Sequence, residues 1–273
     1  MYEDFFGLIE KPFNITPDTH FLYSSPQHEE VVQTLFYGIQ ERKGFMLLTG
    51  EVGTGKTTCL RALLNRVDQE KVHTSLILNP LVSTVELIKS INKDFGLETS
   101  GLSVKEQLDV LNNYVLDVDK AAQSAVVIID EAQNLSMEAL EMTRLLSNLE
   151  TETHKLLQIV LVGQPELEEK LADRALRQLA QRIQVFCHLI PMGGTETENY
   201  IQHRIQKAGN NPLIAFEHSA VKEIQKISNG IPRIINTICE LALLAAYSSD
   251  TRVITKSLVR EAAKEVPSYV HHS

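Results

Sequence analysis

Several ordinary clues to a protein's role are missing from this chain, and each absence closes off a class. No apolar run approaches the roughly 18 residues that a bilayer-crossing helix needs, so no membrane span is expected. The start, Met1-Tyr2-Glu3-Asp4, is acidic and no apolar h-region follows it, so no signal peptide is expected either. Basic residues are in deficit: 26 Lys and Arg face 35 Asp and Glu, a formal net charge of -9, and bulk electrostatics lend no support to nonspecific binding of DNA or RNA. The only cysteines, Cys59, Cys187 and Cys239, are odd in number, far apart and set among apolar residues, which fits reduced core thiols and neither a disulfide frame nor a metal site. Internal repeats and low-complexity tracts are also absent. What is present is a 43% hydrophobic content over 273 residues, enough for one large domain with a smaller companion.

The residues that carry most information are Gly50-Glu51-Val52-Gly53-Thr54-Gly55-Lys56-Thr57, which match the phosphate-cradle pattern G-x-x-x-x-G-K-[ST] at every defined position. Glycines let the backbone curl so that successive N–H groups converge on a phosphate, Lys56 adds a point charge, and the Thr57 hydroxyl is suited to Mg²⁺. Context supports the match. The apolar run Phe45-Met46-Leu47-Leu48-Thr49 enters the loop, and a helical pattern through Thr58, Leu60, Leu63, Leu64 and Val67 leaves it. Nucleotide-binding candidates are therefore Gly50, Glu51, Val52, Gly53, Thr54, Gly55, Lys56, Thr57 and Thr58.

A phosphate loop needs a partner strand that ends in a carboxylate. Ala125-Val126-Val127-Ile128-Ile129 followed by Asp130-Glu131 supplies one, read as a central strand of a parallel sheet, whose C-terminal edge is where ligands sit. Asp130 is the candidate for Mg²⁺ and Glu131 the candidate base for an attacking water, which favours hydrolysis over transfer to a small acceptor. Leu157 to Gly163 is a further buried strand, and Gln164 at its end is placed to polarise that water.

Strand and helix patterns alternate to about residue 190, with strands at Phe45 to Thr49, Thr74 to Leu78, Ala125 to Asp130, Leu157 to Gly163 and Ile183 to Leu189. Five strands with crossover helices imply a parallel, doubly wound α/β sheet. Ser83 with Glu86, and Ser103 with Glu106, read as capping boxes, and Ser136 or Leu135 opens a helix through Leu149. Beyond Gly194 only helices are expected, near Thr195 to Lys207, Glu217 to Ser228, Ile231 to Tyr247 and Thr255 to Lys264. The expected division is a nucleotide-binding domain at 1–192, a helical domain at 193–267 and a tail at 268–273. Arg174, Arg177 and Arg182 precede the last strand, where an arginine offered to a neighbouring subunit's nucleotide accelerates hydrolysis; Arg182 is the first choice and Arg177 the second. Arg233 follows Pro232 at a helix start, where the macrodipole disfavours a cation, so a role facing phosphate is the more attractive reading. Phe13, Leu22 and Tyr23 fit either an adenine pocket or ordinary core packing.

These residues resemble the AAA+ ATPases, and more narrowly the general secretion pathway protein A (ExeA-like) and MSHA pilus biogenesis ATPase family. The resemblance covers nearly the whole chain. Its marks are Phe5, Gly7, Leu8, Pro12 and Phe13, then Pro17-Asp18, the phosphate loop, Asp130-Glu131-Ala132-Gln133, Gly163-Gln164-Pro165-Glu166-Leu167, Leu176-Arg177-Gln178-Leu179, Gln181-Arg182-Ile183 and Gly230-Ile231-Pro232-Arg233. It implies a P-loop ASCE/AAA+ parallel sheet of order 5-1-4-3-2 with a C-terminal α-helical lid. It also implies Mg-dependent ATP hydrolysis in a homo-oligomer formed on ATP binding, with Gln164 as sensor 1, Arg182 in the finger region and Pro232-Arg233 at sensor 2. Adenine is preferred over guanine by that likeness, since no Asn-Lys-x-Asp element is seen. The implied setting is cytoplasmic or peripheral to the inner membrane, with secretion or pilus envelope proteins as partners. Relatives with this head often continue into a membrane span and a peptidoglycan-binding region, so the chain is either a free-standing member or the ATPase portion of a longer protein.

Two other classes stay open. One is a DNA-dependent ATPase resembling transposition regulators, for which Arg42, Lys43, Arg61, Arg66 and Lys71 would be a local basic stretch, although a solvated helix surface explains them as well. The other is a nucleotide-gated scaffold in which hydrolysis is incidental.

Overall fold

The computed structural model describes residues 2–14, 20–78, 80–81, 83–209 and 213–265. Pro17, Asp18 and the tail at 268–273 lie outside the described residues. In chain order the elements are α1 (Tyr2–Phe6), α2 (Pro26–Gln40), β1 (Phe45–Gly50), α3 (Lys56–Arg66), β2 (Val72–Ile77), α4 (Thr84–Asp94), α5 (Val104–Lys120), β3 (Ser124–Ile129), α6 (Met137–Leu146), β4 (Leu157–Gly163), α7 (Pro165–Leu171), α8 (Arg177–Ala180), β5 (Ile183–Leu189), α9 (Gly194–Lys207), β6 (Ala215–Phe216), α10 (His218–Ser228), α11 (Pro232–Ser248), β7 (Val253–Ile254) and α12 (Lys256–Lys264). Two compact units emerge. One holds His28–Gly50 and Cys59–Leu189, the other the described residues up to Gln27, Glu51–Thr58 and those from Ile190 onward.

The first unit is a five-stranded parallel sheet of order β2-β3-β4-β1-β5, the 5-1-4-3-2 order read from its other edge. Its central strands are apolar throughout because both faces are covered. Phe45, Leu47, Val127 and Ile129 pack on one side with Leu87, Leu111, Val115 and Leu140, while Met46, Leu48, Val126 and Ile128 pack on the other with Leu35, Leu60 and Leu63. At the edge, β5 alternates: Val185, Cys187 and Leu189 are buried, whereas Gln184, Phe186 and His188 face outward. The register puts Thr49 level with both Gly163 and His188, so β1 and β4 end side by side.

Both expected capping boxes form, with Ser83 and Ser103 each exchanging hydrogen bonds with the glutamate three residues on. The helix opened by Ser136 is shorter than its sequence pattern. It stops at Leu146 rather than Leu149, since the Ser147 hydroxyl turns back to the Arg144 carbonyl and Glu150 bridges to Lys155 in an isolated antiparallel pair.

The second unit is built on α9 to α12, and two features of it differ from the sequence expectation. A two-residue parallel pair, β6 with β7, interrupts the run of helices; elements this short have no periodicity to detect. The N-terminal aromatics also belong to this unit's core. Tyr2, Phe6, Phe13 and Phe21 are buried with Tyr200, Ile201, Ile238 and Leu243, although the expected division had grouped residues 1–192 with the sheet. Arg204 fastens this segment by donating to the carbonyls of Pro12 and Asn14, with its guanidinium over the Phe21 ring. Phe13 packs edge-on against Phe216 and Tyr23 against Tyr200, the core-packing reading of those side chains.

All three thiols are free and buried. Burial pushes Cys59 up to about 12 and Cys187 up to about 11, and holds Cys239 well above the ordinary thiol value. Such thiols are inert. Among the described residues, no helix is long and apolar enough to cross a membrane.

Candidate nucleotide site

The loop between β1 and α3 takes the shape its glycines permit. Gly53 and Gly55 have φ of +84° and +107°, conformations that side chains resist. Within the loop the Glu51 carbonyl accepts from the Thr54 amide at 3.3 Å, the Thr54 hydroxyl at 2.8 Å and Lys56 Nζ at 3.0 Å. Thr57 and Thr58 fall in the first turn of α3, and the N-terminal end of a helix, with its dipole, favours an anion.

In the same unit the start of α11 packs on this loop. A Cβ placed on Gly53 would lie 2.8 Å from Arg233 Cβ and 3.1 Å from Ile231 Cγ2, so glycine is required by contact as well as by backbone. Pro232 occupies the first turn of α11 and Arg233, exposed, follows it. The loop thus combines a glycine-rich turn at a helix start with two cations, Lys56 and Arg233. That cradle fits the phosphate tail of a nucleotide, and a cation at a helix start is offset by such an anion.

The sheet unit holds the carboxylates. Asp130, just beyond β3, is buried; its amide donates to the Ile77 carbonyl at 2.8 Å and its Oδ1 accepts from the Glu131 amide at 2.9 Å. Glu131 sits in the left-handed region at φ 53°, which swings its side chain out of the strand direction. Its Oε2 accepts from Gln133 Nε2 at 2.6 Å and from Gln164 Nε2 at 3.1 Å. The amide nominated by sequence at the end of β4 therefore meets the nominated base directly. By sequence Gln133 is only the last residue of the Asp130-Glu131-Ala132-Gln133 motif, and its place two residues past Glu131 is the signal that could have found it.

The arginines ahead of β5 divide sharply. Arg182 Nη1 donates to the Arg144 carbonyl at 3.0 Å, the Ser147 hydroxyl at 2.6 Å and Asn148 Oδ1 at 2.6 Å, so its guanidinium caps the C-terminal end of α6. Arg174 and Arg177 are exposed, and their side chains make no hydrogen bond or ion pair among the described residues. Together with Leu171, Ala172, Ala180 and Gln181 they line a cleft of about 530 Å³. In the basic stretch, Arg42 pairs with Asp119 at 2.5 Å, Arg66 with Glu29 at 2.9 Å and Lys71 with Asp68 at 3.4 Å, which favours a locally balanced surface over a phosphate-backbone track.

The chain is similar to several known proteins. Residues 39–171 match the AAA domain family. General secretion pathway protein A of Aeromonas hydrophila is 43% identical over 267 residues, which is 97% of this chain and 48% of that protein. The chain thus spans about half the length of the curated relative it matches. Among solved structures, the CDC6P protein of Pyrobaculum aerophilum is 20% identical over 92% of this chain and 71% of its own, with a TM-score of 0.69. The ORC2 protein of Aeropyrum pernix, solved in ADPNP-ADP complexes, is 17% identical over 94% and 71%, with a TM-score of 0.67. The RuvB branch migration motor of Thermotoga maritima is 18% identical over 90% and 73%, with a TM-score of 0.56. At these identities the solved structures speak for the fold alone.

Proposed function

The chain belongs to the AAA ATPase family, in the branch of general secretion pathway protein A, and on that premise we propose that it binds ATP with Mg²⁺ and hydrolyses it to drive or regulate assembly of an envelope secretion or type IV pilus system. The observation that carries the nucleotide part is the closeness of α11's start to the phosphate loop, with Gly53 against Ile231 and Arg233.

The backbone of Gly50 to Thr58 and the Lys56 ammonium hold the phosphate tail, and Pro232 presents Arg233 to it. Thr57 and Asp130 are the oxygen donors for Mg²⁺, a hard cation that prefers such ligands. Magnesium, when bound, supplies charge neutralisation along the phosphates. Glu131 accepts the proton of the attacking water, and Gln164 orients the reacting groups. Residues 193–267 act as a nucleotide-responsive lid. ATP binding builds a homo-oligomer in which an arginine of one subunit completes the neighbour's site. The guanidinium of Arg177, which makes no hydrogen bond or ion pair among the described residues, favours it for that role over Arg182, whose Nη1 is held on the end of α6.

Calorimetry with Mg-ATP and a non-hydrolysable analogue, paired with a phosphate-release assay, tests the reading. Uptake by the parent, loss of uptake in Lys56→Ala, and retained uptake without turnover in Glu131→Gln are expected. Well-folded parent protein that takes up neither ATP nor ADP overturns the proposal. Pull-downs from envelope extracts in the two nucleotide states test the assembly role.

A further inference from the structure

The geometry points to Gln133 as the positioning residue of the hydrolytic base, an assignment that rests on Glu131 being that base. A glutamate carboxylate turns easily about its last torsion, because that sp³–sp² rotation is broad and roughly two-fold. A base held by nothing presents its lone pairs in many directions. Here both donors converge on one oxygen: Gln133 Nε2 at 2.6 Å and Gln164 Nε2 at 3.1 Å both reach Glu131 Oε2. Among the described residues Oε1 accepts no hydrogen bond, so one oxygen is clamped and the other is left for a water.

The orientation of the Gln133 amide is dictated from the far side. Its Oε1 accepts from the backbone amide of Gln164 at 3.1 Å. A main-chain N–H can only donate, so the oxygen of Gln133 must face Gln164 and its NH₂ must face Glu131. One side chain thereby ties the base to the end of β4. The turn beneath it is fixed as well: Lys170 Nζ donates to the Gln133 carbonyl at 2.5 Å and to the Leu135 carbonyl at 3.1 Å, and the Asn134 amide donates to the Glu131 carbonyl at 2.9 Å. Space for the amide comes from Gly163, where a Cβ would stand 2.9 Å from Gln133 Oε1 and 2.7 Å from Leu167 Cδ2.

Of the two amides, Gln133 is the one that only positions. It acts through Glu131, whereas Gln164 reaches the base from the strand end where a sensor of the reacting phosphate is expected.

Steady-state hydrolysis by the full chain tests this with Gln133→Ala, the similarly sized Gln133→Met, which keeps shape without hydrogen bonds, and Gln133→Glu, which keeps an acceptor for Gln164 but faces Glu131 with a like charge. Supporting partners that orient reactive ligands are worth about 10–100-fold. All three variants should lose kcat on that scale, with KM and the affinity for a non-hydrolysable analogue within about twofold of the parent. Adding Gln133→Met to Glu131→Gln should cost nothing further, since a clamp without a base has nothing to hold. The hydrogen-exchange rate of the Gln164 amide should rise in Gln133→Met and remain slow in Gln133→Glu. A Gln133→Met protein that turns over at the parental kcat, while Glu131→Gln is dead, overturns the assignment and leaves the ATPase reading standing. A parent that binds ATP but does not hydrolyse it removes the base itself, and the assignment falls with it.

Discussion

The turn after β3 and the segment ahead of β5 both carry side chains that sequence nominates for chemistry, and they are built in opposite ways. At the turn, Glu131 is clamped through Oε2 and keeps Oε1 open. Ahead of β5, Arg182 has three acceptors on Nη1 and is committed to the end of α6, while Arg177 beside it has none. A reactive group needs fixed direction together with an unspent atom. Glu131 has both, Arg182 has a direction that aims it at the end of α6, and Arg177 has only the unspent atom until a partner surface supplies direction. A motif therefore locates a neighbourhood, and hydrogen-bond satisfaction decides which member of it is available.

The largest expected effect would break the comparison at the arginines. If Arg177 is the group offered to a neighbour, Arg177→Ala should lower kcat by about 10³–10⁵-fold. Arg182→Ala should change it far less. Mixing Glu131→Gln subunits with Arg177→Ala subunits should restore part of the activity through sites that keep both groups. Rescue that appears with Arg182→Ala subunits and not with Arg177→Ala would reverse the assignment. Next in size, Glu131→Gln should lower kcat by about 10²–10⁴-fold, the usual worth of a general base, with analogue binding intact. Turnover at the parental rate in that variant would remove Glu131 from the chemistry.

A smaller effect sharpens the same contrast through stability. Because Arg182 caps α6, Arg182→Ala should destabilise folding by about 1–3 kcal/mol, for hydrogen bonds from a charged donor at a partly exposed site. Arg177→Ala, removing an exposed and unpaired side chain, should move the denaturation midpoint by less than about 0.5 kcal/mol. Equal losses in chemical denaturation would show that Arg182 is no more committed than its neighbour.

Much of this arrangement was legible in the residues. The unbroken apolar runs of β3 and β4 announced buried parallel strands, and the polar residues at their ends, Asp130-Glu131 and Gln164, fall together because neighbouring parallel strands end at the same edge. The phosphate loop could be read outright, since its glycines are demanded by backbone shape. Three things were not legible, for one shared reason. The burial of Tyr2, Phe6 and Phe13 with α9 and α11, the capture of Arg182 by α6, and the bridge made by Gln133 all depend on partners distant in sequence or on a turn with no period. Periodicity reports which face of an element is apolar; it carries no information about which polar atoms will already be satisfied.

The smallest effect concerns another committed charge of the sheet unit. Asp119 Oδ1 accepts from Arg42 Nη1 at 2.5 Å and from His154 Nε2 at 2.8 Å, and Arg42, held at φ 51°, also donates to the Gln123 carbonyl at 2.9 Å. Burial pushes the Asp119 carboxyl up, but the hydrogen bonds from His154 and Arg42 and the charge of Arg42 outweigh it, so the group rests below the usual aspartate value. A carboxyl whose folded value is depressed contributes stability that is complete above its unfolded value of about 3.9 and is lost as pH falls through the folded value. Stability of the parent should therefore decline as the solution is acidified below about pH 4. In Asp119→Asn that component of the decline should vanish, and the variant should be weaker than the parent by about 1 kcal/mol at pH 7, the scale of a partly exposed ion pair. ATP turnover should be unchanged, since the hydrogen bonds of this cluster run among Arg42, Asp119, Gln123 and His154 and reach none of the candidate site residues. Identical acid limbs for parent and variant in melts between pH 2 and pH 7 would mean that Asp119 is not held by its partners, and the rule that committed charges act through stability would lose its plainest case.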